Sequence, residues 1–262
     1  DPFLVSKFFK ILRLKSDWTR NESVSVEKLI KIFLDQLDQL ILTSHTQQPN
    51  LSSVSSNSQL NGNLQQPKNN SISSNLTPAY MVLYEIADLS LSVPLTDPML
   101  QRLINHLISL ITNPDVVIKA INFNEADYND YINKDLYISV FALQKLTFLV
   151  NSVPHCAVSI LSILPLLLAL MQTRQPYLDA RALDLLYSIA NQDNGMTIVD
   201  AMLVFLPDSP LYLRESLCNK AAVLIQSYGT DDFDSIVLLI RILNLGGKVL
   251  RTNDKIWRSI VH

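Results

Sequence analysis

Apolar residues recur along most of this chain at the three- and four-residue steps of an amphipathic helix. One example lies between 177 and 191, where Leu178, Ala182, Leu186 and Ile189 form a single apolar stripe. The strict alternation that would indicate strands is almost absent. The pattern predicts helices near 2–15, 24–43, 78–93, 98–112, 133–151, 155–172, 177–191, 195–206, 210–228, 232–246 and 252–262.

The predicted helices come in pairs. Pair starts near 133, 177, 210 and 252 are about 33 to 44 residues apart, a spacing typical of helical repeat proteins. One pair is too small to bury its own apolar stripe, so neighbouring pairs must stack and share an extended core. We therefore predict an all-α fold, an α-solenoid of about five HEAT/armadillo-like helical pairs that continues beyond one or both ends.

Local signals predict where several helices begin and end. Ser209 before Pro210 predicts an N-cap hydroxyl followed by proline at the first helical position. Thr230, followed by three aspartates in four residues, predicts another capped helix start with acidic residues in its first turn. The Gly246-Gly247 pair predicts the end of that helix.

The polar run Asn-Gln-Asp-Asn-Gly, 191–195, separates two apolar stretches of helical period. Asn191 is expected to end one helix in the left-handed conformation. Asn194 is expected to cap the next helix through its side-chain oxygen. We therefore interpret this run as a corner between two helices and not as a binding site.

The strongest change of composition is residues 43–76, where Asn, Ser and Gln make up 21 of 34 residues and Lys68 is the single formal charge. Such a segment buries too little apolar surface to offset the entropy of ordering, which predicts a disordered insertion. The predicted organisation is therefore a helical pair at 1–42, the Asn/Ser/Gln-rich insertion at 43–76, and the continuing solenoid at 77–262.

Composition excludes several classes of function. The net charge of −3 and the pI near 5.8 argue against a broad nucleic-acid surface. Two cysteines, Cys156 and Cys218, are too few for a disulfide framework, so we expect a reducing compartment. The uncharged stretch 146–173 contains about fifteen unbroken apolar residues, fewer than the roughly 20 that cross a bilayer, and we interpret it as a buried helix.

Candidate catalytic, metal and cofactor residues are nearly absent, and we predict a protein that is not an enzyme. The adjacent His155-Cys156 suggests a nucleophile, but consecutive helical residues point in different directions. The acidic stretch 121–134 lacks the central glycine and final glutamate of a calcium loop, so a solvated loop is the better interpretation. No Gly-rich phosphate motif and no zinc spacing occurs.

One modest basic cluster lies on the first predicted helix: Lys7, Lys10, Arg13 and Lys15. It has two interpretations. The cluster could contact an anionic lipid headgroup or an acidic partner. More often, such lysines are only the solvated face of an amphipathic helix.

The stretch ARALDLLYSIANQDNGMTIVDAMLVFL, 180–206, resembles a signature region of the large subunits of clathrin-adaptor complexes, the adaptins. The matching positions are Arg181 to Tyr187, Asn191, Asn194, Ile198-Val199, Met202-Leu203 and Leu206. YLRESLCNKAAVLIQSYG, 212–229, and FDSIVLLIRILNLGGKVLRTNDKIWRSIV, 233–261, are similar to the helices that follow in adaptins. DPFLVSKFFKILRLKSD, TPAYMVLYEIADLSLSV and INKDLYISVFALQKLTFLV resemble preceding ones, in the same order.

The chain also departs from the adaptin pattern, in 224–230 and at Ala180, where a basic residue usually stands. It is therefore identified as a diverged large-subunit trunk of the α/γ/δ/ε class, or as a large subunit of the related TSET coat complex. The opening DPFLVSKFFK, with neither an initiator methionine nor a signal pattern, indicates a piece of a longer protein.

The resemblance implies a scaffold in vesicle-mediated protein transport, in endocytosis or Golgi/endosome sorting. The implied partners are a small, a medium and a second large adaptor subunit, with clathrin or other coat proteins, and with neither a cofactor nor nucleic acid. The implied location is the cytoplasm, peripheral on coated plasma, Golgi or endosomal membranes and held there through the complex. The resemblance assigns no catalytic, cofactor or metal residue. The alternative is a karyopherin-like or armadillo-type scaffold or transport receptor, whose repeats should be more self-similar.

Overall fold

The computed structural model describes residues 2–15, 17–46, 71–93, 95–112, 134–173 and 175–246. Every regular element within these ranges is helical, which confirms the predicted all-α fold. The α-helices are α1 Pro2–Arg13, α2 Arg20–Thr46, α3 Ser71–Leu89, α4 Asp97–Ile111, α5 Lys134–Ser152, α6 Ala157–Ile160, α7 Leu164–Leu170, α8 Pro176–Ser188, α9 Gly195–Phe205, α10 Leu211–Tyr228 and α11 Asp232–Gly246. Three short 3₁₀ turns accompany them: Pro154–Cys156, Leu161–Ile163 and Leu206–Asp208.

The chain divides into two compact units, Asp1–Leu103 and Ile104–His262, with the boundary inside α4. In the first unit, α1 packs on α3, and Arg13 of α1 forms ion pairs with Asp88 and, at 3.7 Å, with Glu85 of α3. The core here includes Leu34 of α2 and Leu83 of α3, both fully buried. The unit is therefore held by apolar burial between helices and by ion pairs at its surface.

Helices α2 and α4 are linked by two polar contacts in the first unit. Glu27 of α2 accepts hydrogen bonds from the backbone and hydroxyl of Thr96, directly before α4. Farther along both helices, Arg102 of α4 pairs with Asp35, at 2.6 Å, and with Asp38 of α2. The earlier contact in α2 is made with the start of α4, and the later contacts with a later residue of α4. The two helices therefore run in parallel.

Helices α8 and α10 also run in parallel, in the second unit. Three contacts join them at offsets of 33, 36 and 38 residues: Asp179 to Tyr212, Asp184 to Lys220, and Ala190, just after α8, to Tyr228. Helix α5 packs on α8, and α10 packs on both α9 and α11. Equivalent helices of successive pairs therefore stack on one another, which is the arrangement of a helical repeat array.

The predicted helix 155–172 is interrupted, so that prediction is wrong in detail. The segment is instead built from the 3₁₀ turn at Pro154–Cys156, α6, a second 3₁₀ turn, and α7. Pro154 and Pro165 each lie in the first turn of an element. A proline has no backbone N–H and therefore cannot donate to the preceding turn, which explains the break before α7.

Helix α2 begins at Arg20, four residues before the predicted start, because of a capping box. The hydroxyl of Thr19 and its backbone N–H both donate to Glu22, at 2.7 and 3.0 Å. Lys15 also pairs with Glu22. Hydrogen bonds from Lys15 and Thr19 lower the pKa of the Glu22 carboxyl to about 2. The Thr-x-x-Glu signature was visible in the sequence, although the apolar period alone did not find it.

Two predicted caps differ from the structure. Pro210 is itself the N-cap residue of α10, and the Ser209 hydroxyl donates instead to the carbonyl of Leu206, closing the preceding 3₁₀ turn. At α11, Asp231 and not Thr230 caps the helix, because its carboxylate accepts the backbone N–H of Phe233 at 3.0 Å. Helix α11 is described as far as Gly246, and the residues that follow lie outside the described ranges, so the predicted end of this helix stays a prediction.

The predicted insertion lies mostly outside the described residues. Helix α2 extends to Thr46 and α3 begins at Ser71, while 47–70 is not described, so the disordered insertion remains a prediction. The predicted helix 252–262 and the predicted solvated loop 121–134, apart from Lys134 at the start of α5, likewise lie outside the described residues. Among the helices that are described, none is long and apolar enough to cross a membrane.

Gly195, the first residue of α9, generates a prediction about packing between α9 and α10. A Cβ atom here would lie 2.4 Å from Cδ2 and 2.8 Å from Cγ of Tyr228. The Tyr228 ring cannot swing away freely, since its hydroxyl donates to Ala190 at 2.9 Å. We expect Gly195→Ala to lower the free energy of unfolding by about 1–3 kcal/mol, measured by urea denaturation. In a Tyr228→Ala background the same change should cost almost nothing, and an equal cost in both backgrounds would contradict the clash.

Candidate functional site

A charged and aromatic cluster joins α8 to α10. Asp184 lies between two cations, with Arg181 Nη1 3.2 Å from one carboxylate oxygen and Lys220 Nζ 3.2 Å from the other. The Lys220 ammonium also lies 4.5 Å from the ring centroid of Tyr187. Lys220 is therefore held by a carboxylate and an aromatic face at once. All four side chains are partly exposed, and the cluster carries one net positive charge.

The residues of this cluster belong to the stretches that resemble adaptins. Arg181, Asp184 and Tyr187 lie in the series R-A-L-D-L-L-Y, and Lys220 lies in the Lys-Ala-Ala of the following helix. The sequence could not show that these two stretches meet, because 33 residues separate Tyr187 from Lys220. Parallel stacking of α8 on α10 brings them together. The cluster therefore acts as a clamp between two successive repeats.

The corner between α8 and α9 is closed by the two asparagines that the sequence singled out. Asn191 Oδ1 accepts the backbone N–H groups of Asp193 and Asn194, at 2.9 and 3.1 Å. Asn194 Oδ1 in turn accepts the N–H of Asn191 at 2.8 Å, and its Nδ2 donates to the carbonyl of Ile189 at 3.2 Å. The two side chains therefore satisfy the backbone groups exposed where the chain reverses.

The predicted helix cap at Asn194 is wrong in its geometry. Asn194 does occupy the N-cap position of α9, but its side chain makes no hydrogen bond to the first turn of that helix. The side chain points back into the corner because Asn191 N and Ile189 O need partners there.

Asp179 is a fully buried carboxylate at the start of α8. Oδ1 accepts the Thr173 hydroxyl at 2.7 Å and the Gln175 backbone N–H at 3.1 Å. Oδ2 accepts the Tyr212 hydroxyl of α10 at 2.9 Å. Burial raises the pKa of Asp179 to about 6, although the three hydrogen bonds act in the opposite direction. The carboxylate thus fixes the turn before α8 to the beginning of α10.

Arg214 of α10 also donates hydrogen bonds to backbone carbonyls. Its Nη2 donates to the carbonyls of Pro207 and Ser209, at 3.1 and 2.9 Å. These carbonyls lie at the 3₁₀ turn that ends α9 and the bend that follows, where helical acceptors have no partner in the helix itself. Arg214 is one of the positions that resemble adaptins, and here it shapes the connection between α9 and α10.

Within the described ranges, the two side chains of the candidate nucleophile pair differ in their exposure. His155 is exposed, whereas the neighbouring Cys156 is buried, so the predicted divergence of the two side chains is confirmed. Burial raises the pKa of the Cys218 thiol to about 11, which keeps it protonated at neutral pH. Across the described ranges, no group of three or more His, Cys, Asp and Glu side chains could hold a metal ion.

The predicted basic cluster of α1 is partly neutralised. Arg13 is engaged with Asp88 and Glu85 of α3, and Lys15 with Glu22. The other two predicted cations, Lys7 and Lys10, are exposed. The solvated and structural interpretation is therefore the better one for this surface.

Comparisons with known proteins agree with the adaptin resemblance. The chain is 26% identical over 130 residues, half of its length, to the AP-2 complex subunit alpha of Schizosaccharomyces pombe. It is 31% identical over 81 residues, 31% of its length, to the AP-2 complex subunits alpha-1 and alpha-2 of Arabidopsis thaliana. The chain is similar to AP-2 alpha subunits. No protein-family profile matches it.

The matched segments are short relative to these relatives. They span 14% of the yeast subunit and 8% of each plant subunit. The similarity therefore supports an adaptin-like identity for a limited stretch of helices. It does not distinguish the TSET complex or any other particular coat.

Asn194 generates a prediction about the corner. Asn194→Ala removes two hydrogen bonds, to Asn191 and Ile189, and leaves their backbone groups without these partners. We expect the free energy of unfolding to fall by about 1–2 kcal/mol, measured by urea denaturation. Thr197→Ala, an exposed change in the same helix, is the matched control and should stay within about 0.5 kcal/mol. Equal stability of Asn194→Ala and the control would contradict the role assigned to Asn194.

Asp179 generates a prediction about pH. Its pKa of about 6 in the folded protein lies above the ordinary value of 3.8, so the folded state binds this proton more tightly than the unfolded chain. Protonation therefore favours folding, and this contribution grows as pH falls from about 7 through 6 toward 4. Asparagine can still accept the hydrogen bonds from Thr173 and Gln175 through Oδ1, and its Nδ2 can donate to the Tyr212 hydroxyl, all without the charge. As pH falls from 7.5 to 4, we expect the free energy of unfolding of the wild type to rise by about 2–3 kcal/mol relative to that of Asp179→Asn.

The measurement is urea denaturation of both proteins across this pH range. Asp200→Asn, a change at an exposed position of α9, is the control and should track wild type. A constant difference between wild type and Asp179→Asn would contradict the raised pKa. If the wild type instead lost stability relative to Asp179→Asn as pH falls, the charged form of Asp179 would be the form that folding stabilises.

Proposed function

We propose that this chain is part of the trunk of a large subunit of a vesicle-coat adaptor complex. The observation that carries the proposal is the similarity to AP-2 alpha subunits over half of the chain. Parallel stacking of α8 on α10 supports it, since such stacking is how helical repeats build an extended scaffold. The chain would act in intracellular protein transport, in endocytosis or in sorting at the Golgi and endosomes.

The proposed mechanism is association with other subunits. The residues that carry the resemblance, such as Arg181, Asp184, Asn194 and Lys220, make contacts inside the chain. They hold successive repeats in register, so they set the shape of the scaffold and leave the outer helix faces for partners. Those partners would be a small, a medium and a second large subunit, with clathrin or another coat protein beyond them.

The proposed role is not catalytic. Asp179 and Cys218, the buried groups with strongly raised pKa values, lie inside the helical packing, where a substrate could not reach them. A scaffold of this kind would bind membranes peripherally, through the assembled complex, at the cytoplasmic face of plasma, Golgi or endosomal membranes. The stability of its helical stack would then be the property on which function depends.

Affinity purification of the full-length protein from its own cells tests this proposal. We expect three further subunits in about equal amounts: one small, one medium and one second large subunit. The purification should be repeated with Lys220→Ala, which removes the clamp between α8 and α10. Lys7→Ala, at an exposed position of α1, is the matched control. Recovery of the protein without such subunits would overturn the proposal, and recovery with a nuclear-transport GTPase would favour a karyopherin-like receptor.

A further inference from the structure

The outer face of α11 carries a stripe of exposed apolar side chains. Phe233, Ile236, Val237 and Ile240 are 71%, 44%, 47% and 46% exposed. Their spacings of three, one and three residues place them on one side of the helix, along about 10 Å of its length. We refer to these four residues as the α11 stripe. The buried side of α11 includes Ile242, and α11 packs on α10.

Helix α9 provides a reference for α11, because each is the second helix of its pair. The buried Val199 and Met202 of α9 recur 40 residues later as the buried Leu239 and Ile242 of α11. The two helices therefore present equivalent positions to the core of the array. This equivalence shows which positions of α11 belong to the repeat and which do not.

At the same shift of 40 residues, exposed polar positions of α9 become apolar in α11. Thr197 and Asp200, both exposed, correspond to Val237 and Ile240. A face that is polar in one repeat has thus become apolar in the next, while it stays exposed. A contiguous apolar patch on an outer surface marks an interaction site. The α11 stripe is therefore explained by a contact other than the packing of the repeats.

Charge on one flank of the stripe identifies the partner. Asp234 and Arg241, both exposed, lie seven residues apart, so both project from the same flank of α11. A second α11 that runs antiparallel along the first brings Asp234 of one copy beside Arg241 of the other. A two-fold axis makes this contact twice. A parallel copy would instead oppose like charges, so the surface is complementary to itself in the antiparallel orientation.

A second copy of this chain fits the stripe better than a membrane does. Helices that lie on anionic membranes carry many cations, whereas α11 carries Asp232 and Asp234 against the single cation Arg241. A contact along this helix of 15 residues, about 22 Å long, lies at the small end of interface sizes, below about 1,200 Å² in total. Self-association through it should therefore be weak and reversible.

We propose that the α11 stripe joins two copies of this chain through an antiparallel pair of α11 helices. The four stripe residues supply the apolar contact, and the two pairs of Asp234 with Arg241 fix the orientation. The inference goes beyond the proposed function and does not rest on it, since it concerns a contact between identical chains and not between different subunits.

Sedimentation velocity of the full-length protein, purified from its own cells with the subunits that accompany it, tests the proposal. We expect the mass to double as the concentration rises from about 1 to 100 µM. Ile240→Asp places a charge within the stripe and should weaken self-association more than tenfold. Val204→Asp, at an exposed position of α9, is the matched control and should associate like the wild type. Circular dichroism checks that both variants remain folded.

Charge reversal tests the orientation and leaves the apolar stripe intact. Asp234→Arg or Arg241→Asp opposes like charges across the two-fold axis and should weaken self-association several-fold. The double variant restores opposite charges in the antiparallel pair and should recover the association of the wild type. An equimolar mixture of the two single variants should associate more tightly than either variant alone.

Each outcome decides the proposal. A mass that stays constant with concentration overturns it, whether the stripe is then covered by residues 247–262 of the same chain, by another subunit or by lipid. Self-association that a folded Ile240→Asp variant leaves unchanged also overturns it, because another surface is then used. If Ile240→Asp does not fold, the charge variants decide, and a double variant as weak as the single ones overturns the antiparallel pair. The presence of adaptor-type subunits is scored separately, so the proposed function stands or fails independently.

Discussion

Parallel stacking of α8 on α10 links equivalent helices of successive pairs in the second unit through three polar contacts. The buried stripe of α8, with Leu178, Ala182 and Leu186 fully inaccessible to solvent, contributes apolar free energy to the packing of this helix. Apolar burial alone does not fix how far one helix slides along another. Three polar contacts, at the beginning, the middle and the end of α8, fix that register.

These polar contacts also constrain the residues around them. Among the described residues no cation pairs with the buried Asp179, and its three hydrogen bonds offset part of a desolvation cost that still raises its pKa to about 6. Tyr228 donates to Ala190 and lies so close to Gly195 that a Cβ atom there would force the ring to shift. The corner at 191–194 is therefore part of the stacking contact and not an independent loop.

In the second unit, the residues that look functional in the sequence differ from those that the structure leaves exposed. Side chains such as Arg181, Asp184 and Lys220 look functional in a sequence because they are charged and belong to recognisable stretches. In the structure they contact one another across two repeats. Exposed aromatic residues such as Phe141 and Phe148 attract less notice in a sequence, since an amphipathic helix contains many apolar positions. Their exposure is what distinguishes them from core residues.

The sequence by itself determined the helical class and most helix positions, because the 3.6-residue period and the positions of breaks are local properties. It also indicated the corner at 191–194. It did not determine the direction of the Asn194 side chain, the break before α7, or the meeting of Tyr187 with Lys220. Those were decided by the tertiary structure, since each depends on which backbone groups and charges lie nearby once the repeats have stacked.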